Sequence, residues 1–262
     1  MKTDYQTIIV EQDRHVLSVL LNRPDARHAV NLLMSQELCA VLDEVADQSE
    51  IRVVVLGSTD AYFCSGTDLK EGFCGFKDCE EQLLHMYWPI IQKMHELPQT
   101  IIAAPAGTTA GIGCAFVLNS DLIVMHESAS LFFTFSNIGL IADGGIHTLL
   151  QRHLGYQRTF ELLTRGGHLS AQACSDAGIA NRLVDAEDDF LKVAQSWAHE
   201  LSNRAPLVLQ HTKKLLRTTS LMSIEETVRN EAQRQNMCAV SEDASEGIMA
   251  FLEKRPAVFR GQ

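Results

Sequence analysis

Two short glycine-containing segments hold the residue types best suited to chemistry on a carbonyl group. The first is residues 63–69, FCSGTDL, and the second is residues 110–114, AGIGC. Each follows an apolar or β-branched run, and we expect a helix after each one. Glycine at such a junction leaves backbone N–H groups exposed where the helix dipole favours negative charge. Two such amides converging from separate loops would form an oxyanion hole.

Other uses of glycine loops have less support in this sequence. The chain has no GxxxxGK[ST] phosphate loop, and GIG at 111–113 lacks the third glycine of a dinucleotide-binding fingerprint. For either segment alone, the alternative interpretation is that its glycines serve only to let the backbone turn. The two segments together, in this order, are more specific than either one.

Enolate stabilisation also requires a group that moves a proton, and Asp143 is the best candidate. It follows the apolar run 138–142, so partial burial would raise its pKa and make it a usable base. The alternative is that Asp143 caps the helix predicted to begin near Gly144. Asp68 is expected to cap a helix after the first glycine segment.

The elements that must position these residues alternate between strand and helix. Strands are predicted at 8–11, 16–20, 51–57, 100–104 and 121–125, and helices at 32–46, 83–94 and 114–118. Residues 62–79 are predicted to be a loop, and residues 107–113 a glycine-rich turn. Helical patterns then fill 145–153, 156–164, 170–177, 187–203, 206–218, 223–239 and 241–253, with one further strand near 180–184. This alternation is typical of an α/β fold.

The composition limits the classes of molecule that we expect as partners. The 262 residues carry a formal net charge of −11, which argues against nucleic acid or an anionic membrane as the main partner. No run approaches the roughly 20 apolar residues of a membrane span, and we expect a cytoplasmic protein. The seven cysteines are scattered and fit no usual zinc spacing, so we expect reduced thiols and no metal site.

Several stretches match one family pattern. They are LNRP at 21–24 with RHAVN at 27–31, FCSGTDL at 63–69, residues 102–121, GLIADGG at 139–145, LSAQ at 169–172 with AG at 177–178 and LV at 183–184, and EGIMAFLEKR at 246–255. Together they resemble the crotonase (enoyl-CoA hydratase/isomerase) superfamily across nearly the whole chain. The departures are His28 where asparagine is usual, Ile112 for the middle glycine, and Ala142 for proline.

The resemblance implies a ββα spiral core, residues 1–200, and a helical C-terminal region, residues 201–262, for trimerisation. It implies that the amides of Thr67 and Ile112 hold a thioester oxygen. It further implies an acyl-CoA substrate, no tightly bound cofactor, and a homotrimer or dimer of trimers. The residues expected to contact CoA are Arg23, Ala26, Ala29, Ser65, Gly66, Asp68 and Leu69, with Phe251 and Lys254 from a neighbouring subunit.

The reaction depends on which carboxylates are present. Hydratases of this family use two glutamates, and the matching positions here hold Ala115 and Phe135. Family members that shift a double bond use a single acid at the position of Asp143. The sequence therefore favours a Δ3-to-Δ2 enoyl-CoA isomerase. The alternatives are hydratase-like chemistry, thioester hydrolysis or dehalogenation with Asp143 as nucleophile and His85 as helper, and a non-catalytic acyl-CoA-binding protein.

Overall fold

A computed structural model describes residues 4–219 and 222–262 of the chain. In chain order, its strands are β1 (Ile8–Asp13), β2 (Val16–Leu21), β3 (Val53–Ser58), β4 (Thr100–Ala103), β5 (Thr108–Ala110), β6 (Leu122–His126), β7 (Ser130–Phe132), β8 (His168–Ser170) and β9 (Arg182–Val184). Its helices are α1 (Leu32–Ala46), α2 (Cys79–Gln82), α3 (Trp88–Glu96), α4 (Ile112–Asn119), α5 (Ile146–Leu154), α6 (Tyr156–Thr164), α7 (Ala171–Asp176), α8 (Phe190–Ser202), α9 (Pro206–Thr219), α10 (Ile224–Ala239) and α11 (Glu242–Glu253). The predicted α/β class is confirmed.

A six-stranded sheet forms the centre of the fold, in the order β1-β2-β3-β4-β6-β9. β1 pairs with β2 antiparallel, in a register that opposes Ile8 to Leu21, and every other neighbouring pair is parallel. Every residue of β3 is buried, as expected for a parallel strand covered on both faces. α8 packs over β2, β3 and β6 on one side, and the larger core, which includes residues of α1, α3 and α4, fills the other.

A second, three-stranded sheet has the order β5-β7-β8 and lies beside the second glycine segment. The sequence predicts a turn at residues 107–113 and no strand at 130–132 or 168–170, so these three strands correct that prediction. Each strand is only three residues long. A segment that short is too brief to display a period of two, and its pairing depends on partners that are distant in the chain. The strand β5 ends at Ala110, directly before the glycine turn.

The helix predicted at 83–94 is longer and less regular than expected. It starts with α2, passes through one π-helical turn at Leu83–Tyr87 and continues as α3 to Glu96. Isolated π turns inside α-helices are frequent at functional sites. Most other predicted helices agree with the structure to within three residues at each end. Ser241 caps α11, accepting a hydrogen bond from the Ala244 amide at 3.0 Å, as its sequence predicts.

The first glycine segment leads into a loop rather than a helix. The prediction that Asp68 caps a helix is therefore wrong, because the next helix begins only at Cys79. Asp68 instead accepts a hydrogen bond from the Lys70 amide at 3.2 Å and pairs with Arg23. It fastens a loop to the segment that follows β2.

The C-terminal helices are tied to the core by buried polar contacts. Lys213 on α9 donates to the Gln99 carbonyl at 2.9 Å and pairs with Asp121 at 2.8 Å. The predicted division of the chain into a core, residues 1–200, and a C-terminal region, residues 201–262, stays a prediction. Residues 1–3 of the first part and 220–221 of the second lie outside the described residues. In the described part of the chain, none of the helices is both long and apolar enough to cross a membrane.

Candidate active site

The two glycine segments lie against each other. Gly66 has a φ of 97° and Gly111 a φ of 54°, a region that side chains rarely adopt. A Cβ placed on Gly66 would lie 3.5 Å from Cα of Gly111 and 3.2 Å from the Ala110 carbonyl oxygen. The Ala110 amide donates to the Cys64 carbonyl at 2.8 Å and holds the loops together. Glycine is therefore needed at both positions for the loops to approach so closely.

The two amides predicted to form the oxyanion hole belong to these loops. Ile112 is the first residue of α4, where a backbone N–H has no partner within its own helix. Among residues 4–219 and 222–262, neither the Thr67 nor the Ile112 amide donates a hydrogen bond to the protein. Gly111 (φ 54°, ψ −129°) takes the strained conformation, so the branched Ile112 side chain is tolerated in the helix. Both amides remain free to bind a ligand oxygen.

Asp143 lines a cavity of about 330 Å³ next to these loops. The cavity's apolar walls come from the π turn, α3 and α5, and they include Leu83, Trp88, Ile91 and Leu149. One carboxylate thus lies in a cavity whose walls from the π turn, α3 and α5 include large apolar side chains.

The Asp143 carboxylate has no structural task in the described part of the chain. Its Oδ1 atom is buried without a hydrogen-bond partner. α5 begins at Ile146, with Gly145 in the capping position and no side-chain cap, so the alternative that Asp143 caps this helix is wrong. Burial raises the pKa of the Asp143 carboxyl to about 6, and its own backbone amide opposes that rise. A buried, unpartnered carboxylate in a cavity is a candidate base.

Ala115 and Phe135 stand at the two positions that the resemblance matches to the hydratase glutamates. Ala115 is fully buried on α4, and a Cβ placed on Gly144 would lie only 2.4 Å from its methyl carbon. Phe135 belongs to the main hydrophobic core. Neither side chain can ionise. Asp143 is the only acid among the described residues that line the cavity.

Tyr87 is a cavity residue that sequence analysis treated only as part of a helical face. It ends the π turn, and its hydroxyl donates to Oγ1 of Thr67 at 2.9 Å. Burial raises the pKa of the Tyr87 hydroxyl well above its usual value, so the group stays a donor. Tyr87 thus fixes the loop that presents the Thr67 amide. A one-turn change in helix type has no sequence signature that could have identified it.

The residues predicted to contact CoA after β2 form a connected structure with the first glycine loop. Arg23 pairs with Asp68 at 2.9 Å and donates to the Ala29 carbonyl. Ser65 donates from its hydroxyl to the Ala26 carbonyl at 3.2 Å, and the Val30 amide donates to the Gly66 carbonyl at 2.8 Å. The structure therefore brings together the CoA candidates from these two segments. Arg23 holds the first glycine loop in place through its contacts within the protein.

His28 stands where asparagine is usual in the resemblance, and it is fully buried. Its Nδ1 accepts the Arg23 amide at 3.0 Å, and its Nε2 lies 2.9 Å from Oδ1 of Asp60 without the geometry of a hydrogen bond. The imidazole therefore holds the segment after β2 through the Arg23 amide.

Three other predicted site residues lie away from this cluster or toward solvent. Leu69 is 72% exposed. Phe251 lines a surface groove with other residues of the C-terminal helices, and Lys254 ends α11. Within one chain nothing places Phe251 or Lys254 at the glycine loops. A role for them at this site requires a second copy of the chain.

His85, the suggested helper of a nucleophilic Asp143, does not line the cavity. It is an exposed residue of the π turn, whereas His95 on α3 does line the cavity. In the part of the chain that the structure describes, no group of three or more His, Cys, Asp or Glu side chains is arranged to hold a metal ion.

Comparisons with known proteins agree on one family. The family model described as enoyl-CoA hydratase/isomerase matches residues 11–262. Among curated relatives, 1,2-epoxyphenylacetyl-CoA isomerase of Escherichia coli (strain K12) is 28% identical over 259 residues, which cover 97% of this chain and 98% of the relative.

Solved structures give the same result. An enoyl-CoA hydratase from Bacillus anthracis has a TM-score of 0.90 at 29% identity, covering 98% of this chain and 100% of its own. An enoyl-CoA hydratase from Mycobacterium tuberculosis H37Rv has a TM-score of 0.89 at 26% identity, covering 98% and 99%.

Proposed function

The chain belongs to the enoyl-CoA hydratase/isomerase family, and from that premise we propose that it is a single-carboxylate Δ3,Δ2-enoyl-CoA isomerase. The names of its relatives include both hydratases and isomerases, so the reaction has to be assigned from the site. The observation that carries the assignment is Asp143: a half-buried carboxylate in the cavity whose Oδ1 is buried without a partner among the described residues, with Ala115 and Phe135 in place of the hydratase glutamates.

In the proposed reaction, the ionised Asp143 carboxylate removes a proton from C2 of a 3-enoyl-CoA. The electrons of that C–H bond form the enolate, and its negative charge accumulates on the thioester oxygen. The amides of Thr67 and Ile112 are proposed to stabilise that oxygen, and neither amide donates a hydrogen bond within the described part of the chain. Asp143, now protonated, returns the proton to C4 while the double bond forms between C2 and C3.

This reaction needs neither water nor a second acid–base group. A hydratase of this family holds a water molecule between two glutamates, and the matching positions of this chain are Ala115 and Phe135. The nucleophilic alternatives are less well supported, because His85 does not face Asp143's cavity.

Residues Arg23, Ala26, Ala29, Ser65, Gly66, Asp68 and Leu69 are proposed to form the CoA site, completed by Phe251 and Lys254 of another subunit. The ion pair of Arg23 with Asp68 supports this proposal, because it shapes the loop that joins the CoA segment to the oxyanion amides. CoA enters as part of the substrate, and the proposed assembly is a trimer or a dimer of trimers.

The test is incubation of the protein with 3-hexenoyl-CoA and, separately, with 2-hexenoyl-CoA, followed by product identification. We expect conversion of the 3-enoyl to the 2-enoyl thioester, and little formation of 3-hydroxyacyl-CoA. Asp143→Asn should lose roughly 10²–10⁴ of the rate, the usual contribution of a general base. Fast hydration without isomerisation would contradict the proposal, as would full activity in Asp143→Asn.

A further inference from the structure

The cavity beside Asp143 contains a polar cluster that the isomerisation itself does not use. It consists of His95 on α3, Asn119 on α4 and Arg217 on α9, and all three line the cavity. His95 Nε2 lies 2.6 Å from Oδ1 of Asn119, and Arg217 donates from Nη2 to the Asn119 carbonyl at 2.8 Å. A cavity that binds only a hydrocarbon chain does not require charged or hydrogen-bonding side chains in its wall.

The position of the cluster along α4 gives its place relative to the reacting carbons. Ile112 begins this helix and Asn119 ends it, which separates them by about 10 Å along the axis. Gly144, the neighbour of Asp143, lies between, because it packs on Ile112 and its carbonyl accepts a hydrogen bond from Asn119 at 2.9 Å. The order is therefore oxyanion amide, base, polar cluster.

Hydrogen bonding fixes the donors and acceptors of the cluster. Nδ2 of Asn119 donates to the carbonyls of Ala115 and Gly144, so its Oδ1 is an acceptor. His95 therefore donates from Nε2, and Nδ1 of the neutral ring is an acceptor, which must take up a proton from solvent before it can donate to an anion. Both bonds that Arg217 makes to the described residues come from Nη2, to Asn119 and Asp121. The rest of its guanidinium group keeps donors for a ligand.

The charge around the cluster is positive. Asp121 is paired with both Lys213 and Arg217, each at 2.8 Å, so one carboxylate faces two cations. Burial, then the positive charges of Arg217 and Lys213, lower the pKa of His95. The described lining of the cavity also holds one further basic side chain, Arg152, and one acidic side chain, Asp143. An anion in this region would meet favourable charge and would favour protonation of His95.

Resting on the proposed function, we propose that the acyl group bound here ends in a carboxylate, which Arg217 and His95 bind at the end of the cavity beyond Asp143. A methyl end placed there would displace water from these groups and replace none of its hydrogen bonds. A carboxylate would instead make charge-assisted hydrogen bonds with the guanidinium group. The span of about 10 Å along α4 fits ω-carboxyl acyl chains of roughly six to eight carbons.

The test measures binding of unreactive saturated thioesters by calorimetry. Adipoyl-CoA is compared with hexanoyl-CoA, and suberoyl-CoA with octanoyl-CoA. We expect the better ω-carboxyl ligand to bind at least about tenfold more tightly than its methyl-ended partner, the effect of one charge-assisted bond. Arg217→Gln and His95→Phe should each reduce that ratio several-fold.

Lys213→Gln is the matched control. It removes the other cation of Asp121, but Lys213 faces Gln99 and Asp121 and does not line the cavity. We expect this variant to keep most of the preference. Circular dichroism checks that each variant is folded, and His95→Phe tests the inference independently if Arg217→Gln unfolds. Equal binding of both ligands by the unaltered protein would overturn the inference, as would a preference that survives both cavity substitutions.

Isomerisation assays separate this inference from the proposed function. If no 3-enoyl-CoA is isomerised but adipoyl-CoA or suberoyl-CoA is still preferred, the proposed reaction fails and the carboxylate site stands. If 3-hexenoyl-CoA is isomerised and neither ω-carboxyl ligand binds more tightly, the carboxylate site fails alone.

Discussion

Asp143 owes its chemical character to its surroundings. A carboxylate that accepts several hydrogen bonds is stabilised in its charged form, and its pKa falls. Asp143 has the opposite environment, because apolar side chains surround it and Oδ1 has no partner among the described residues. Burial therefore raises its pKa to about 6. At neutral pH the group is mostly ionised and is still a stronger base than an exposed aspartate.

The first prediction concerns the pH dependence of activity. Because the base must be ionised, kcat/KM for a 3-enoyl-CoA should fall as the pH decreases through about 6. An exposed aspartate, with an ordinary pKa near 3.9, would keep the rate constant to about pH 5. Initial rates measured at constant ionic strength check this. A profile that stays flat down to about pH 5 would contradict the assigned role.

A second prediction concerns stability. The folded protein holds a proton on Asp143 in the range between 3.8 and about 6, where the unfolded chain has released it. The group's contribution to stability is therefore present below that range and is lost as the pH rises through about 6. Asp143→Asn should unfold at a higher temperature than the unaltered protein near about pH 8, and this difference should shrink toward about pH 4.

Thermal unfolding followed by circular dichroism measures this effect. Asp188→Asn serves as the control, since Asp188 is exposed and should show no such pH-dependent gain. If Asp143→Asn is no more stable than the unaltered protein near about pH 8, burial does not destabilise the ionised carboxylate.

The sequence singles out Asp143 as a candidate, but it does not identify the residues around the cavity. An acid after an apolar run, next to two glycines, is visible in a single stretch of chain. Tyr87, His95 and Arg217 lie on helices whose patterns indicate only packing faces. They meet Thr67 and Asn119 through contacts across 20, 24 and 98 residues of chain. Such contacts depend on tertiary structure and have no local signal.

At the scale of elements, the first turn of α4 supplies one half of the proposed oxyanion hole. Ile112→Pro removes the N–H at the first position of a helix, where proline is well tolerated, and it also replaces the buried isoleucine side chain. We expect kcat to fall by about 10²–10³, the usual cost of one lost donor. Ile112→Val is the control: it keeps the amide and trims the side chain, and it should stay within a few-fold of normal activity. Steady-state kinetics of both variants tests this prediction. Equal activities would show that the Ile112 amide does not contribute to catalysis.

Long elements were predictable and short ones were not. α1, with its apolar stripe, begins and ends at the predicted residues, and α6 does as well. β5, β7 and β8 are three-residue strands that exist only because they pair with one another. The departure of Ile112 from the glycine pattern also has a structural explanation, because Gly111 alone takes the conformation that requires glycine.

At the scale of the whole molecule, the C-terminal helices expose many large apolar side chains. They include Val208, Leu216, Ile224, Val228, Val240, Ile248, Phe251 and Leu252. Extended apolar surface of this kind is typical of an interface. It supports the proposal that subunits associate through this region and that α11 reaches a neighbouring active site.

Two measurements test that proposal. Sedimentation equilibrium should give a mass of three or six chains. In the assembled protein, Lys254→Glu should weaken binding of acyl-CoA, since it would place a negative charge near the CoA phosphates, and leave kcat nearly unchanged. Glu253→Gln, at the adjacent exposed position, is the control that should not weaken binding. A monomer with full affinity for acyl-CoA would contradict the shared site.

The central claim is that one carboxylate both removes and returns the proton, and an isotope experiment tests it most directly. A 3-enoyl-CoA carrying deuterium at C2 is converted in ordinary water, and the product is analysed by mass spectrometry and NMR. We predict a 2-enoyl-CoA in which part of the deuterium has moved to C4, and no such product from Asp143→Asn. A 3-hydroxyacyl-CoA as the main product, or an equally fast transfer of label in Asp143→Asn, would contradict the account.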